Sequence, residues 1–421
     1  MRLPSLMMIA LIILSLVDDF GIWRLARDHF HRKRRTWTVC WWGFAVVCYI
    51  LLAIILAMPR RSENVDILVT MWMLYAYLTI YASKTVALLF GLLGQLPRLF
   101  KRKTRNSILW LGLPFGALTF IVMWWGALVT RHEIDVREVN IVSSKIPVSF
   151  NGYKIVQISD MHVGTWGNDT VFISHLVDSV LAQKPDVIVF TGDIVNRQTH
   201  ELQPFLATLS RLRAPDGTLS ILGNHDYGDY ITWDNPSDRA ANNKLLAEWE
   251  KSMGWKLLNN EHIYLVKGND SIPVIGVENW GEPPFHQYGH LEDAYPFSPD
   301  SIHNINDARF KILLSHNPEH WRQEVSHKTN IDLTLSGHTH AMQFRISLGD
   351  NEWSPAKWKY EEWGGLYEKN NDNGVPTQIY VNIGSGEVGM PFRIGATPEI
   401  TVINLWNPTV EKEVVPTEPK R

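Results

Sequence analysis

The 421 residues suffice for one large or two ordinary domains with real cores. A net charge of −3 singles out no partner, and the lack of a basic stripe beyond the N-terminal third argues against non-specific nucleic-acid binding. Only two cysteines occur, Cys40 and Cys48, both in one apolar run, so no disulfide scaffold is built and the compartment stays open. Much of the apolar content, 45% with 18 Trp in the whole chain, lies at the N-terminal end. There the runs Leu3–Trp23, Trp37–Met58, Ile67–Gly94 and Ile108–Val129 each offer the roughly 20 residues that cross about 30 Å of hydrocarbon. Four transmembrane helices are predicted. The first holds Asp18 and Asp19, but it has no A-x-A-like cleavage site and its positive charge follows the apolar run, which argues against a signal peptide. Lys84, inside the third, is expected to snorkel to the interface.

Loop charges orient these spans. The first loop carries Arg24, Arg27, Arg32, Lys33, Arg34 and Arg35, and the third Arg98, Lys101, Arg102, Lys103 and Arg105. The second has only Arg60 and Arg61 beside Glu63 and Asp66. Loops one and three are therefore expected in the cytoplasm, and the N-terminus and everything after Val129 on the opposite side.

Beyond the membrane region the expected organisation is a linker and first strand over 131–150, an α/β domain over 151–406 and a loose tail over 407–421. The runs "YKIVQISD", "DVIVFTGD", "GTLSILGNHD", "PVIGVEN", "FKILLSHN", "IDLTLSGHTH" and "QIYVNIGSG" are of strand length, and most terminate in Gly, Asp, Asn or His. Buried strands with polar C-terminal ends mark the edge of an α/β sheet where ligands bind. Thr170–Lys184 and Asn242–Met253 read as amphipathic helices between them.

The strand ends carry the chemistry. In order they present Asp160-x-His162, Gly192-Asp193, Gly223-Asn224-His225-Asp226, His316 and Gly337-His338-Thr339-His340. Singly, each has an ordinary structural reading as a cap, a turn former or a core histidine. Five such termini in a row, each with a carboxylate, imidazole or amide oxygen, point to a metal site. In an extended stretch residues i and i+2 point the same way, so Asp160 with His162, and His338 with His340, are expected to face one cleft.

This ordered set resembles the calcineurin-like metallophosphoesterase superfamily over about 151–402, and "NIGSGEVGMPFRIGATPEI" resembles the terminal block of its membrane-associated subgroup. One departure is visible: Ala341-Met342-Gln343 stands where that subgroup commonly has Gly-Gly-Gln. The resemblance implies a four-layer α/β/β/α sandwich preceded by a four-helix transmembrane region. It also implies a dinuclear centre in which Asp160, His162 and His340 hold one divalent ion, Asn224, His316 and His338 the other, and Asp193 bridges them. Such a donor mixture favours Mn, with Fe or Zn next. A hydroxide formed between the ions would attack phosphorus in line, with His225 as the acid or charge stabiliser and Asp226 orienting it and raising its pKa.

The leading expectation is thus a membrane-anchored, extracytoplasmic phosphoesterase acting on phosphodiesters or lipid-linked phosphates, with membrane lipids and a phosphate ester as partners. The alternatives are a cytoplasmic-face pyrophosphohydrolase of the UDP-diacylglucosamine type and a non-catalytic membrane scaffold. Residues 227–300 form an insertion between ligand blocks, in which His286 and His290 read as solvated. Trp353, Trp358, Tyr360, Trp363 and Tyr367 are candidates for a lipid- or base-binding surface.

Overall fold

The computed structural model describes residues 5–27, 29–58, 67–100, 107–283, 286–294, 309–349, 351–372 and 374–410. Arg60, Arg61, Glu63, Asp66, Lys101, Arg102, Lys103 and Arg105, part of the loop-charge pattern, lie outside the described residues, as do parts of the 227–300 insertion and most of the tail. Two units form, Met1–Arg131 with Gly389–Ile394, and His132–Val388 with Gly395–Arg421.

In the first unit the apolar runs become α1 (Ser5–Ala26), α2 (Arg34–Ala57), α3 (Ile67–Leu93) and α4 (Leu113–Leu128), the last entered through a π-helical turn at Ile108–Gly112. Arg34–Ala57, Ile67–Leu93 and Ile108–His132 are long and apolar enough to cross a membrane. In α1, Asp18 and Asp19 are buried. The Asp19 carboxylate receives Lys84 Nζ at 2.6 Å and the hydroxyls of Tyr49 and Tyr81 at 2.6 and 2.9 Å, while Thr85 donates to Asp18 at 2.6 Å. The snorkelling expected of Lys84 does not occur, because an opposite charge on α1 lies at hydrogen-bonding distance inside the bundle. Close backbone approach supports the pairing of α3 with α4: a Cβ on Gly116 would stand 2.7 Å from the Ser83 carbonyl oxygen. Phe392 stacks on Tyr75 of α3 at 5.4 Å, and the Arg393 N–H donates to the Gly126 carbonyl of α4 at 3.1 Å.

The second unit holds β1 (Asp135–Val142), β2 (Tyr153–Ile158), β3 (Val187–Phe190), β4 (Thr218–Ser220), β5 (Trp255–Leu257), β6 (Glu261–Lys267) and β7 (Asp270–Gly276). It continues with β8 (Ile312–Leu314), β9 (Leu333–Ser336), β10 (Ile346–Leu348), β11 (Asn351–Trp353), β12 (Gly365–Asn370), β13 (Pro376–Val381) and β14 (Glu399–Trp406). One six-stranded sheet runs β1-β14-β2-β3-β4-β5, the other β12-β13-β9-β8-β7-β6, and β10 pairs with β11 alone. Strands β2 to β5 are mutually parallel, as are β7, β8, β9 and β13, so both sheets send their C-terminal ends into loops.

Side-chain alternation builds the layers. Along β2 and β3, Ile155, Val187 and Val189 face the second sheet's Val274, Ile312, Leu314, Leu333 and Leu335. Their neighbours Val156, Ile188 and Phe190 pack outward on helix Val171–Ala182 through Phe172, Ile173 and Leu176. On the far side Leu313 and Ile379 meet Trp321 and Val325. Helix, sheet, sheet, helix is the four-layer order expected. The second predicted helix begins earlier, at Pro236, whose fixed φ suits a first turn. Within 131–150, β1 pairs along its whole length with β14.

Candidate metal centre

Every predicted donor sits in a loop that leaves the C-terminal end of a parallel strand: Asp160 and His162 after β2, Asp193 after β3, Asn224 after β4, His316 after β8, His338 and His340 after β9. The backbone there is not extended, contrary to the i, i+2 expectation. Asp160, His162, Asp193, His338 and His340 have φ of 50°, 42°, 61°, 76° and 51°. Left-handed turns directly after the strands aim these side chains, at a conformational cost that Asp and His bear better than most residues. Glycine makes room beside them. A Cβ on Gly223 would fall on Asp193 Oδ1, and one on Gly337 would fall on Asp160 Oδ2.

The donors come together in three overlapping groups, Asp160–His162–His340, His162–Asp193–His225 and Asp193–His316–His338, with donor atoms within 4.8 Å of one another in each. His162 Nε2 and His340 Nε2 are 3.0 Å apart, and His340 Nε2 is 3.2 Å from Asp160 Oδ1. His316 Nε2 lies 3.2 Å from both Asp193 Oδ2 and His338 Nδ1. Asn224 Oδ1 is buried and has no hydrogen-bond partner among the described residues. Imidazole nitrogens this close share either a proton in a hydrogen bond or a metal ion, and with the carboxylate oxygens grouped beside them the arrangement fits divalent ions. Electrostatics agree. Burial opposes charge on His316, yet Asp193 and Asp160 raise its pKa to about 10, while burial and then His316 lower His338 to about 3. Despite burial, the neighbouring histidines hold Asp160 and Asp193 below the usual carboxylate range.

Surrounding groups fix the ring orientations. Thr191 O accepts from His316 Nδ1 at 2.7 Å, leaving Nε2 for the pocket, and Tyr360 OH lies 2.9 Å from His338 Nε2, leaving Nδ1. His225 has its Nδ1 2.6 Å from Asn196 O, so that nitrogen carries the proton, and its ring stacks on Tyr230.

The role expected of Asp226 is corrected here. Its two oxygens accept the backbone N–H groups of Asp193, Ile194, Val195 and Gly223 at 2.8, 2.9, 3.2 and 2.8 Å. It therefore clamps the loop of Asp193 to that of Asn224, and burial lowers the His225 pKa instead of Asp226 raising it. Asn196 and Glu201 were not foreseen: Glu201 accepts the N–H of Asn196 and of Arg197 at 2.7 and 3.1 Å, and so shapes the turn that offers its carbonyl to His225. His286 and His290 are exposed and outside the three groups.

Ala341, Met342 and Gln343 follow with φ of 50°, 46° and 59°. The glycines common here in the resembling subgroup would adopt these angles freely, whereas Ala341 and Met342 carry strain. Gln343 accepts the Val388 N–H at 2.7 Å.

Two sheets that open onto a cluster of carboxylate and imidazole donors form a pocket suited to metal ions. Residues 153–342 match the family model of the calcineurin-like phosphoesterases, and residues 1–131 match that of the probable calcineurin-like phosphoesterase transmembrane domain. An uncharacterized metallophosphoesterase of Bacillus subtilis (strain 168), YkuE, is 34% identical over 283 residues, 65% of this chain and 86% of that protein. The transmembrane protein with metallophosphoesterase domain of Danio rerio is 28% identical over 334 residues, 75% of this chain and 69% of its own length. An uncharacterized metallophosphoesterase of Helicobacter pylori (strain ATCC 700392 / 26695) is 27% identical over 309 residues, 72% of each chain. The chain belongs to the calcineurin-like phosphoesterase family and is a membrane-linked metallophosphoesterase.

Proposed function

We propose that this protein hydrolyses a phosphodiester or a lipid-linked phosphate at a two-metal centre on the extracytoplasmic face. The observation that carries the reading is the convergence of six donors from two sheets beside an imidazole, His225, whose Nδ1 is already engaged, with the buried Asn224 Oδ1 left without a partner among the described residues. Asp160, His162 and His340 would hold one ion, Asn224, His316 and His338 the other, and Asp193 both. When bound, such a pair offsets charge on the phosphoryl oxygens and lowers the pKa of a coordinated water from about 15.7 toward neutrality.

The chain's own groups do the rest. With Nδ1 held by Asn196 O, His225 presents Nε2 to the substrate, where as imidazolium it donates a proton to the leaving oxygen or stabilises charge on the phosphoryl group. Thr191 O keeps His316 in the tautomer that binding requires, and Tyr360 OH orients the His338 ring. Nitrogen donors favour Mn, then Fe or Zn, over Mg. The orientation rests on the sequence expectation of four spans with basic first and third loops.

The test is to assay purified full-length protein against a panel of phosphate esters with and without Mn, beside Asp193→Asn. Metal-dependent turnover in the wild type is expected. In the variant, turnover should vanish and metal content should fall at both positions. Normal activity with two ions retained in Asp193→Asn would overturn the assignment.

A further inference from the structure

The β10–β11 hairpin pairs as a strand with neither sheet, yet it exposes large apolar side chains. Leu348 is 74% exposed, Trp358 just beyond the hairpin 81%, and Ile346, Trp353 and Met342 contribute 41%, 37% and 43%. Single exposed hydrophobes are ordinary, but this many on one short projection of a soluble surface mark an interaction face. The aromatic residues singled out in the sequence divide accordingly: Tyr360 and Trp363 are buried, Trp353 and Trp358 are not.

What covers the face follows from where the hairpin is anchored. Arg137 of β1 reaches Glu352 of β11 at 3.0 Å, and Arg345 lies 3.6 Å from Asp135 and 3.8 Å from Glu352. These pairs latch the hairpin base to the start of β1. The last apolar helix runs to His132 and β1 begins at Asp135, so only Glu133 and Ile134 stand between the latch and a membrane-spanning segment, roughly 11 Å of chain from His132 to Asp135 even when fully extended. The exposed cations Lys357 and Lys359 flank Trp358. Indole beside lysine suits the headgroup layer of an anionic bilayer.

We propose that Ile346, Leu348, Trp353 and Trp358 dock into the lipid headgroup layer. The patch adjoins the metal pocket through the chain itself: Trp358 is two residues from Tyr360, whose hydroxyl touches His338, and Thr339 Oγ1 donates to Trp363 O at 2.6 Å. Docking therefore sets lipid headgroups beside the site that cleaves phosphoesters. This deepens, and rests on, the membrane-anchored lipid-phosphate reading above.

The test uses full-length protein in vesicles of phosphatidylcholine and phosphatidylglycerol. Leu348→Cys and, separately, Trp358→Cys are labelled with an environment-sensitive fluorophore in a Cys40→Ser, Cys48→Ala background, and lipids spin-labelled near the headgroup serve as quenchers. Blue-shifted emission with at least twofold quenching is expected at both positions, and neither effect at Val266→Cys on β6, an edge strand of the second sheet. An unshifted, unquenched label at both positions would overturn the proposal. So would a blue shift without quenching, which would mean that protein, such as a second copy of the chain, covers the patch. No substrate is present, so this result stands apart from whether the pocket cleaves lipid phosphates.

Discussion

Two adjacent residues, His225 and Asp226, separate chemistry from architecture at this site. His225→Ala removes a group that no strand end needs for its shape, so metal content should stay near wild type while kcat falls by on the order of 10²–10⁴. Asp226→Asn should do the opposite. An amide cannot accept four N–H bonds, and its NH₂ would face donors, so the Asp193 loop loosens and metal content falls. Elemental analysis of both purified variants beside single-substrate kinetics separates the patterns, and equal metal loss in the two would refute this division. Met342 gives a second test. At φ 46° and largely exposed, it should gain from Met342→Gly: relief of left-handed strain outweighs the added unfolded-state entropy by on the order of 0.5–1 kcal/mol. A raised Tm of the purified protein is the expected readout, and a lowered one would show that the side chain's contacts outweigh its backbone strain.

Among the elements, those with an apolar run ending in a polar residue were legible from the sequence, because β2, β3, β8 and β9 are buried on both faces and their ligands follow immediately. Several strands without that signature were not. β14 lies inside the first sheet but ends in no ligand, and β10 and β11 alternate too briefly to register. The carbonyl of Asn196 was invisible for another reason, since a backbone acceptor has no residue signature. In α1, Asp18 and Asp19 read as a weakness of the span, whereas their partners stand on α2 and α3, 30 to 67 positions away. That pairing predicts a cost. Lys84→Met leaves the Asp19 carboxylate without its cation, and loss of one partner from a buried pair costs about 3–5 kcal/mol. A much lower melting temperature in detergent is expected, with most of the loss restored in the Asp19→Asn, Lys84→Met double variant. An unchanged melting temperature for the single variant would show the pair to be solvated.

For the whole molecule, the charge of the loops predicts which side each part faces. In a Cys40→Ser, Cys48→Ala background, His29→Cys should resist an impermeant thiol reagent in intact cells, and Pro408→Cys should be labelled at the outer face, through a permeabilised outer envelope if there is one. The reverse pattern would place the metal centre in the cytoplasm. The position of β14 has a consequence of another kind, for the order in which the molecule is made. β14 separates β1 from β2, pairing in parallel with the first and antiparallel with the second, yet it spans residues 399–406, after every metal donor. While a ribosome is still translating the segment before Glu399, β1 and β2 each lack their neighbour and offer an open edge, a state prone to wrong pairing. Ligand loops synthesised early must therefore wait for the last strand of the sheet. The enzyme completes its first sheet only once Glu399–Trp406 has been made, so a chain stopped before Glu399 sits in the membrane without a finished catalytic domain.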